Sequence, residues 1–337
     1  MFKRILVPLD GSPRAERALP LAKRIARATR GSIVLVYVVD PVSDLWAVEQ
    51  APLVEMRLRE AEMYLNSLLS PAPTGEEAEI TEPPIPAETL LLRGSAAASI
   101  LNAASETQAD GIVMCSHGQN AASHWRIGGV AAKVVRHAKV PVLMLKEEGG
   151  VPAGPHPDAT EPLRVLVPLD GSAPARTALT SAASLLADLA PQTPAQLHLL
   201  HVIPANVQLL ENEGRRRELV QKAGEYLQSM AKKLKESLVE PSLSPKNFMV
   251  TWSVILDNDV ANAIVRVAEQ GDTQDGLGSM PRCDGIAMAT HGLSGIRRWA
   301  MGSVTERVLH GTRLPLLITR PAWVEEHAEE EETEEET

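Results

Sequence analysis

The chain has 337 residues, 44% of them hydrophobic and 23% charged, a globular composition with room for two cores of about 150 residues each. Nine glutamates between Glu325 and Glu336 carry most of the net charge of −10, which leaves a near-neutral body and excludes binding driven by a strongly basic one. No apolar run approaches the roughly 18–20 residues of a membrane-spanning helix. Two cysteines, Cys115 and Cys283, are too few for a disulfide framework or a Cys-based zinc site. With no leader pattern ahead of the first strand-like segment, these features predict a cytoplasmic protein with no nucleic-acid or membrane partner.

The first apolar run, Ile5 to Val7, is short and continuous, as in a buried parallel strand, and it ends in Asp10-Gly11-Ser12. Ser12 suits a helix cap and Pro13 a first helical position. Beyond them Ala15, Ala18, Leu19, Ala22, Ile25 and Ala26 share one helical face. A strand over 33–39, a long amphipathic helix near 48–69, a strand near 89–92, a helix from Ala97 and strands over 111–114 and 140–145 follow. Pro141 has no amide hydrogen and argues for an edge position or a strand start. Residues 149–162, rich in proline and glycine and without periodicity, read as a linker.

The pattern then restarts. Arg4-Ile-Leu-Val-Pro-Leu-Asp-Gly-Ser12 recurs as Arg164-Val-Leu-Val-Pro-Leu-Asp-Gly-Ser172, and Ser116-His-Gly118 with Gly128 recurs as Thr290-His-Gly292 with Gly302. Copy two has a helical stripe at Ala178, Leu179, Ala182, Leu185, Leu186 and Leu189. Strands over 197–203 and 250–255 flank a helix near 209–238, a helix starts at Val260, and strands over 285–288 and 314–318 close the copy, the last with Pro315. Extra residues at 271–282 read as a surface loop. The alternation predicts an α/β protein of two tandem domains, 1–148 and 163–322, each a five-stranded parallel sheet with helices on both faces, followed by an acidic disordered tail over 323–337.

Ligands of open parallel sheets bind beyond the carboxyl ends of strands, where the strand order reverses, and both repeated motifs fall there. Asp10 and Asp170 close the first strands; a carboxylate so placed can accept from ribose hydroxyls or a base amine. The same Asp-Gly-Ser is also ordinary turn and capping chemistry. Small residues ahead of a helix admit phosphate oxygens to backbone amides. His117 and His291 lack a second ligand at metal-site spacing and a companion nucleophile, so they read as structural or rim residues, and no metal site is expected. Trp125 and Trp299, with Arg126, Arg297 and Arg298 nearby, fit a contact surface or packing within their own domains equally well. No P-loop is present, nor a Gly-x-Gly-x-x-Gly after the first strand.

These residues carry a family resemblance. The copies resemble the universal stress protein family, whose nucleotide-binding members have Gly-x2-Gly-x9-Gly-Ser/Thr after the fourth strand and an Asp after the first. Copy two has Ala289-Thr-His-Gly292, nine residues, then Gly302-Ser303; copy one has Cys115-Ser-His-Gly118, nine residues, then Gly128-Gly129. The resemblance implies Rossmann-like domains of the adenine nucleotide alpha hydrolase-like kind, packed as an internal counterpart of the family's dimers, with further homo-oligomerisation open. It implies ATP as ligand, with or without Mg2+, held in domain 2 by Asp170, the backbone at Ile203, Ala289, Gly292, Gly302 and Ser303. A degenerate site in domain 1 would use Asp10, Val39, Cys115, Gly118, Gly128 and Gly129. The implied role is in stress response, through nucleotide-dependent association and without a dedicated catalytic activity, weak intrinsic ATP hydrolysis aside. The alternative keeps the fold as an interaction module that binds no nucleotide.

Overall fold

The computed structural model describes residues 1–40, 51–69, 84–118, 127–146, 161–190, 194–206, 212–237, 248–272, 280–290 and 301–321, with backbone alone at 51–53. The chain divides into two compact units, Met1–Glu147 and Glu148–Thr337. In the first, β1 (Arg4–Leu9), β2 (Ser32–Val39), β3 (Ala87–Arg93), β4 (Gly111–Cys115) and β5 (Val142–Leu145) lie in the order β3-β2-β1-β4-β5, all pairs parallel. In the second, β6 (Leu163–Pro168), β7 (Ala195–Pro204), β8 (Phe248–Asp257), β9 (Gly285–Ala289) and β10 (Leu316–Thr319) repeat it as β8-β7-β6-β9-β10. The order reverses beside β1 and β6, which places a crevice beyond their carboxyl ends.

The central strands carry short continuous apolar runs because both of their faces are covered there. Ile5, Leu6 and Val7 of β1 and Leu166 and Val167 of β6 are fully buried. The helices of unit one are α1 (Pro13–Glu16), α2 (Ala18–Thr29), α3 (Ala51–Leu69), α4 (Ala96–Glu106) and α5 (Gly129–His137). Those of unit two are α6 (Ala173–Leu189), α7 (Glu213–Ser237), α8 (Val260–Gln270) and α9 (Ser303–Gly311). Alternate residues of β7 take opposite faces. Ile203 packs with Leu219, Val220 and Ala223 of α7, whereas Leu200 and Val202 face α8.

One predicted helix is two. The apolar stripe from Ala15 to Ala26 is interrupted at Arg17, between α1 and α2. Pro20 has no amide hydrogen to give the Glu16 carbonyl, so the ladder fails there. The Arg17 amide instead closes a tighter turn on the Arg14 carbonyl at 3.3 Å. The equivalent residue of copy two is Thr180, and α6 runs unbroken. The fifth strands begin one residue after Pro141 and Pro315, whose carbonyls accept from the amides of Ile112 and Ile286 at 2.9 and 3.0 Å. Proline therefore stands at a strand start, where its missing donor costs no ladder bond.

A polar chain crosses the interior of unit two on the face of β7 opposite α7. Arg164 Nε donates to Gln196 Oε1 (3.0 Å), and Gln196 Nε2 donates to Thr251 Oγ1 (2.9 Å). The His198 ring spans Thr251 Oγ1 and Ser253 Oγ, each at 2.8 Å. His198 is only 3% exposed, and burial pushes its pKa down to about 4. Among the described residues no helix is long and apolar enough to cross a membrane.

Candidate functional site

Each Asp-Gly-Ser segment folds as one rigid corner. Asp170 Oδ1 accepts from the Ser172 amide at 3.0 Å and from its hydroxyl at 2.6 Å, and Ser172 Oγ caps α6 by accepting from the Ala175 amide at 3.2 Å. Gly171, at φ +93°, supplies the left-handed backbone that the corner requires. Asp10, Ser12 and Ala15 repeat these bonds at 3.0, 2.6 and 3.1 Å. The turn and the helix cap thus account for one carboxylate oxygen in each copy. They also fix the other beyond the strand end, at the crevice.

In unit two that crevice is a cleft of about 330 Å³. Leu200, Val202, Val260 and Ile264 form an apolar side; Asp170, Gly302, Ser303 and Thr305 form a polar one. The polar side is the start of α9. The Gly302 amide is spent on the Thr290 carbonyl at 2.8 Å, but the amides of Ser303, Val304 and Thr305 belong to a first helical turn and have no carbonyl one turn back. Thr305 Oγ1 donates to the Ala289 carbonyl at 2.9 Å and so holds this turn against the end of β9. Open amides and the helix dipole together favour an anion at this end.

Of the residues singled out in copy two, Asp170, Ala289, Gly302 and Ser303 line one cleft. Ile203 was expected to serve through its backbone; its side chain packs on the α7 face, and its chain neighbours Val202 and Pro204 line the cleft on either side of it. Gly292 lies outside the described residues, as do His291, Trp125, Trp299 and the arginines beside them, most of the linker and the acidic tail. Sequence reading missed Leu200, Val202, Val260 and Ile264. Their spacing marks them only as core, and no local signal separates a core residue from a cleft wall.

In copy one, Gly128 precedes α5 with its amide on the Ser116 carbonyl at 2.9 Å, and Gly129 opens the helix with free space where a side chain would start. Val39 is buried with Leu58 and Ala61, and Cys115 Sγ lies 3.8 Å from the Ala15 carbonyl. His117 is buried, 7% exposed, with Nδ1 at 3.0 Å from Ser116 Oγ. Among the described residues no group of three His, Cys, Asp or Glu could hold a metal ion.

Asp10 and Gly118 meet closely: a Cβ at position 118 would lie 1.9 Å from Asp10 Oδ2. Because Oδ1 is held by Ser12, the carboxylate cannot swing aside without breaking its corner. Gly118→Ala is therefore expected to cost unit one about 1–3 kcal/mol in urea unfolding, and combining it with Asp10→Ser is expected to recover much of that loss. A neutral Gly118→Ala change, or simple additivity in the double variant, would overturn the contact's importance.

Comparison with known proteins adds an independent line. The family model described as "Universal stress protein family" matches residues 1–146 and again 163–320. The "universal stress protein in QAH/OAS sulfhydrylase 3′ region" of Thermus aquaticus is 36% identical over 149 residues, 43% of this chain and all of that one. The crystal structure of a universal stress protein from Archaeoglobus fulgidus superposes with a TM-score of 0.62 at 18% identity, covering 95% of this chain and 97% of the other. At that identity the last match speaks for the fold.

Proposed function

The chain belongs to the universal stress protein family as a tandem two-domain member, and on that footing we propose that its second domain binds ATP. The observation that supports this reading most is the convergence, in one cleft, of the Asp170 carboxylate, an apolar wall and the open first turn of α9. The adenine ring lies against Leu200, Val202 and Ile264. Ribose hydroxyls donate to Asp170, and the phosphates accept from the amides of Ser303 and Val304 and from the Ser303 hydroxyl. Mg2+ enters, where it does, with the phosphates. The nucleotide acts as a signal that alters association in stress response, and no repeated catalytic pair accompanies it.

Copy one favours the second reading for itself. Asp10 Oδ2 sits against Gly118, and Gly129 brings no hydroxyl to the start of α5. Domain 1 then keeps the fold and the corner as structure. Calorimetric titration with ATP is expected to show one dominant site, with Asp170→Asn weakening binding well beyond the effect of Asp10→Asn. Two equal sites, the reverse order or no binding would overturn the assignment.

A further inference from the structure

A second pocket, of about 470 Å³, opens on the other face of β7, where the strand end meets α7. Ile203, Leu219 and Ala223 form its walls, and His201, Tyr226 and Lys222 bring the polar groups. His201 Nδ1 and Tyr226 Oη are buried, and neither has a hydrogen-bond partner. Buried polar groups are almost always paired, so two orphans in one small region call for an explanation. The His201 ring donates to the Leu169 carbonyl, which makes Nδ1 an acceptor, and burial holds the ring neutral by lowering its pKa. Tyr226 also stays neutral, its pKa raised chiefly by burial.

Copy one supplies the comparison within the same chain. Tyr37 stands where copy two has His201, and its hydroxyl donates to the Asp10 carbonyl at 3.3 Å. Tyr64 stands where copy two has Tyr226, and its hydroxyl donates to Glu16 Oε1 at 3.0 Å. The ring pairs have the same edge-on geometry, with centroids 6.0 Å apart in copy one and 6.4 Å in copy two. The partners differ: the counterpart of Glu16 is Arg176, which cannot accept, and the counterpart of the Tyr37 hydroxyl is absent from imidazole. Copy one is satisfied internally, whereas copy two leaves one acceptor and one hydroxyl beside a cavity.

We propose that this pocket binds a compact apolar molecule bearing a single hydroxyl, of the phenol class. With a small turn of the Tyr226 side chain, the ligand hydroxyl donates to His201 Nδ1 and accepts from Tyr226 Oη while its ring rests on Ile203, Leu219 and Ala223. Lys222, the cation among the described lining residues, is already paired with Glu218 at 2.6 Å, which leaves it a weak anchor for an acid. His201 and Pro204 line both this pocket and the other cleft, whereas Tyr226 and Ala223 line only this one, so changes at Tyr226 and Ala223 test the proposal apart from the nucleotide reading.

The test is titration of the full chain with phenol and with toluene, which has the same shape but no hydroxyl, followed by NMR. Phenol is expected to bind at least roughly fivefold more tightly than toluene, and Tyr226→Phe to lower phenol affinity by about that factor while leaving toluene unchanged. Ala223→Leu, which fills the pocket, is expected to remove binding of both. If that variant does not fold, Tyr226→Phe decides alone, because it keeps the ring. No binding of either compound up to about 10 mM, equal affinities, or phenol binding indifferent to Tyr226→Phe would each overturn the proposal.

Discussion

Gly302→Val is expected to reduce ATP affinity at least tenfold, about 1.4 kcal/mol, with the second domain still folded. The fold survives because the backbone at Gly302, φ −57° and ψ 139°, is one that any residue adopts, and the amide can keep its bond to the Thr290 carbonyl. Valine nonetheless places a branched side chain beside the Ser303 amide, where the phosphates are proposed to sit. Calorimetry with ATP, read with a thermal melt, separates the two effects. Wild-type affinity in a folded variant would sink the phosphate assignment. Should the variant unfold, Ser303→Ala takes its place with a smaller expected loss of several-fold, the contribution of one hydroxyl donor.

Acid is expected to destabilise the second domain through His198. With a pKa near 4 in the folded protein, against about 6.5 when unfolded, the ring binds fewer protons folded than unfolded across that window. Stability is therefore fully present above about pH 6.5 and falls as pH drops towards 4, by up to about 1.4 kcal/mol per pH unit and roughly 3 kcal/mol in all. Thr251 and Ser253 can still accept from an imidazolium, but neither hydroxyl offers the negative charge that would offset its burial. Urea unfolding of the wild type and of His198→Gln at pH 7, 6 and 5 checks this. The variant, which keeps a donor and an acceptor without titrating, is expected to have a clearly flatter profile. Parallel profiles would show that other groups carry the acid sensitivity.

The contrast between His198 and Asp170 shows what kind of information the chain displays locally. Asp170 was legible because a turn is written in consecutive residues: Asp, a glycine able to take positive φ, and a serine that caps the next helix. His198 sits inside an apolar run that predicts a buried strand correctly, and nothing beside it in sequence announces its partners, Thr251 and Ser253 of a strand some fifty residues on.

The repeat, the alternation of strands and helices, the corners after the first strands and the small residues before the last helices were fixed by the sequence itself, since each depends on periodicity or on neighbours within one turn. Proline acted locally too, through its missing amide, in starting the fifth strands and in splitting the first helix at Arg17, although the apolar stripe alone concealed the split. Tertiary structure alone decided that Val202 faces the α8 side while Ile203 faces α7, because parity within a strand is visible in sequence but its absolute sense depends on which helix covers which face. It alone set Asp10 against Gly118 and left His201 and Tyr226 beside an open pocket where Tyr37 and Tyr64 are satisfied. Those outcomes turn on contacts between residues far apart in the chain, where a change as small as glutamate to arginine at the place shared by Glu16 and Arg176 removes an acceptor that no neighbouring residue replaces.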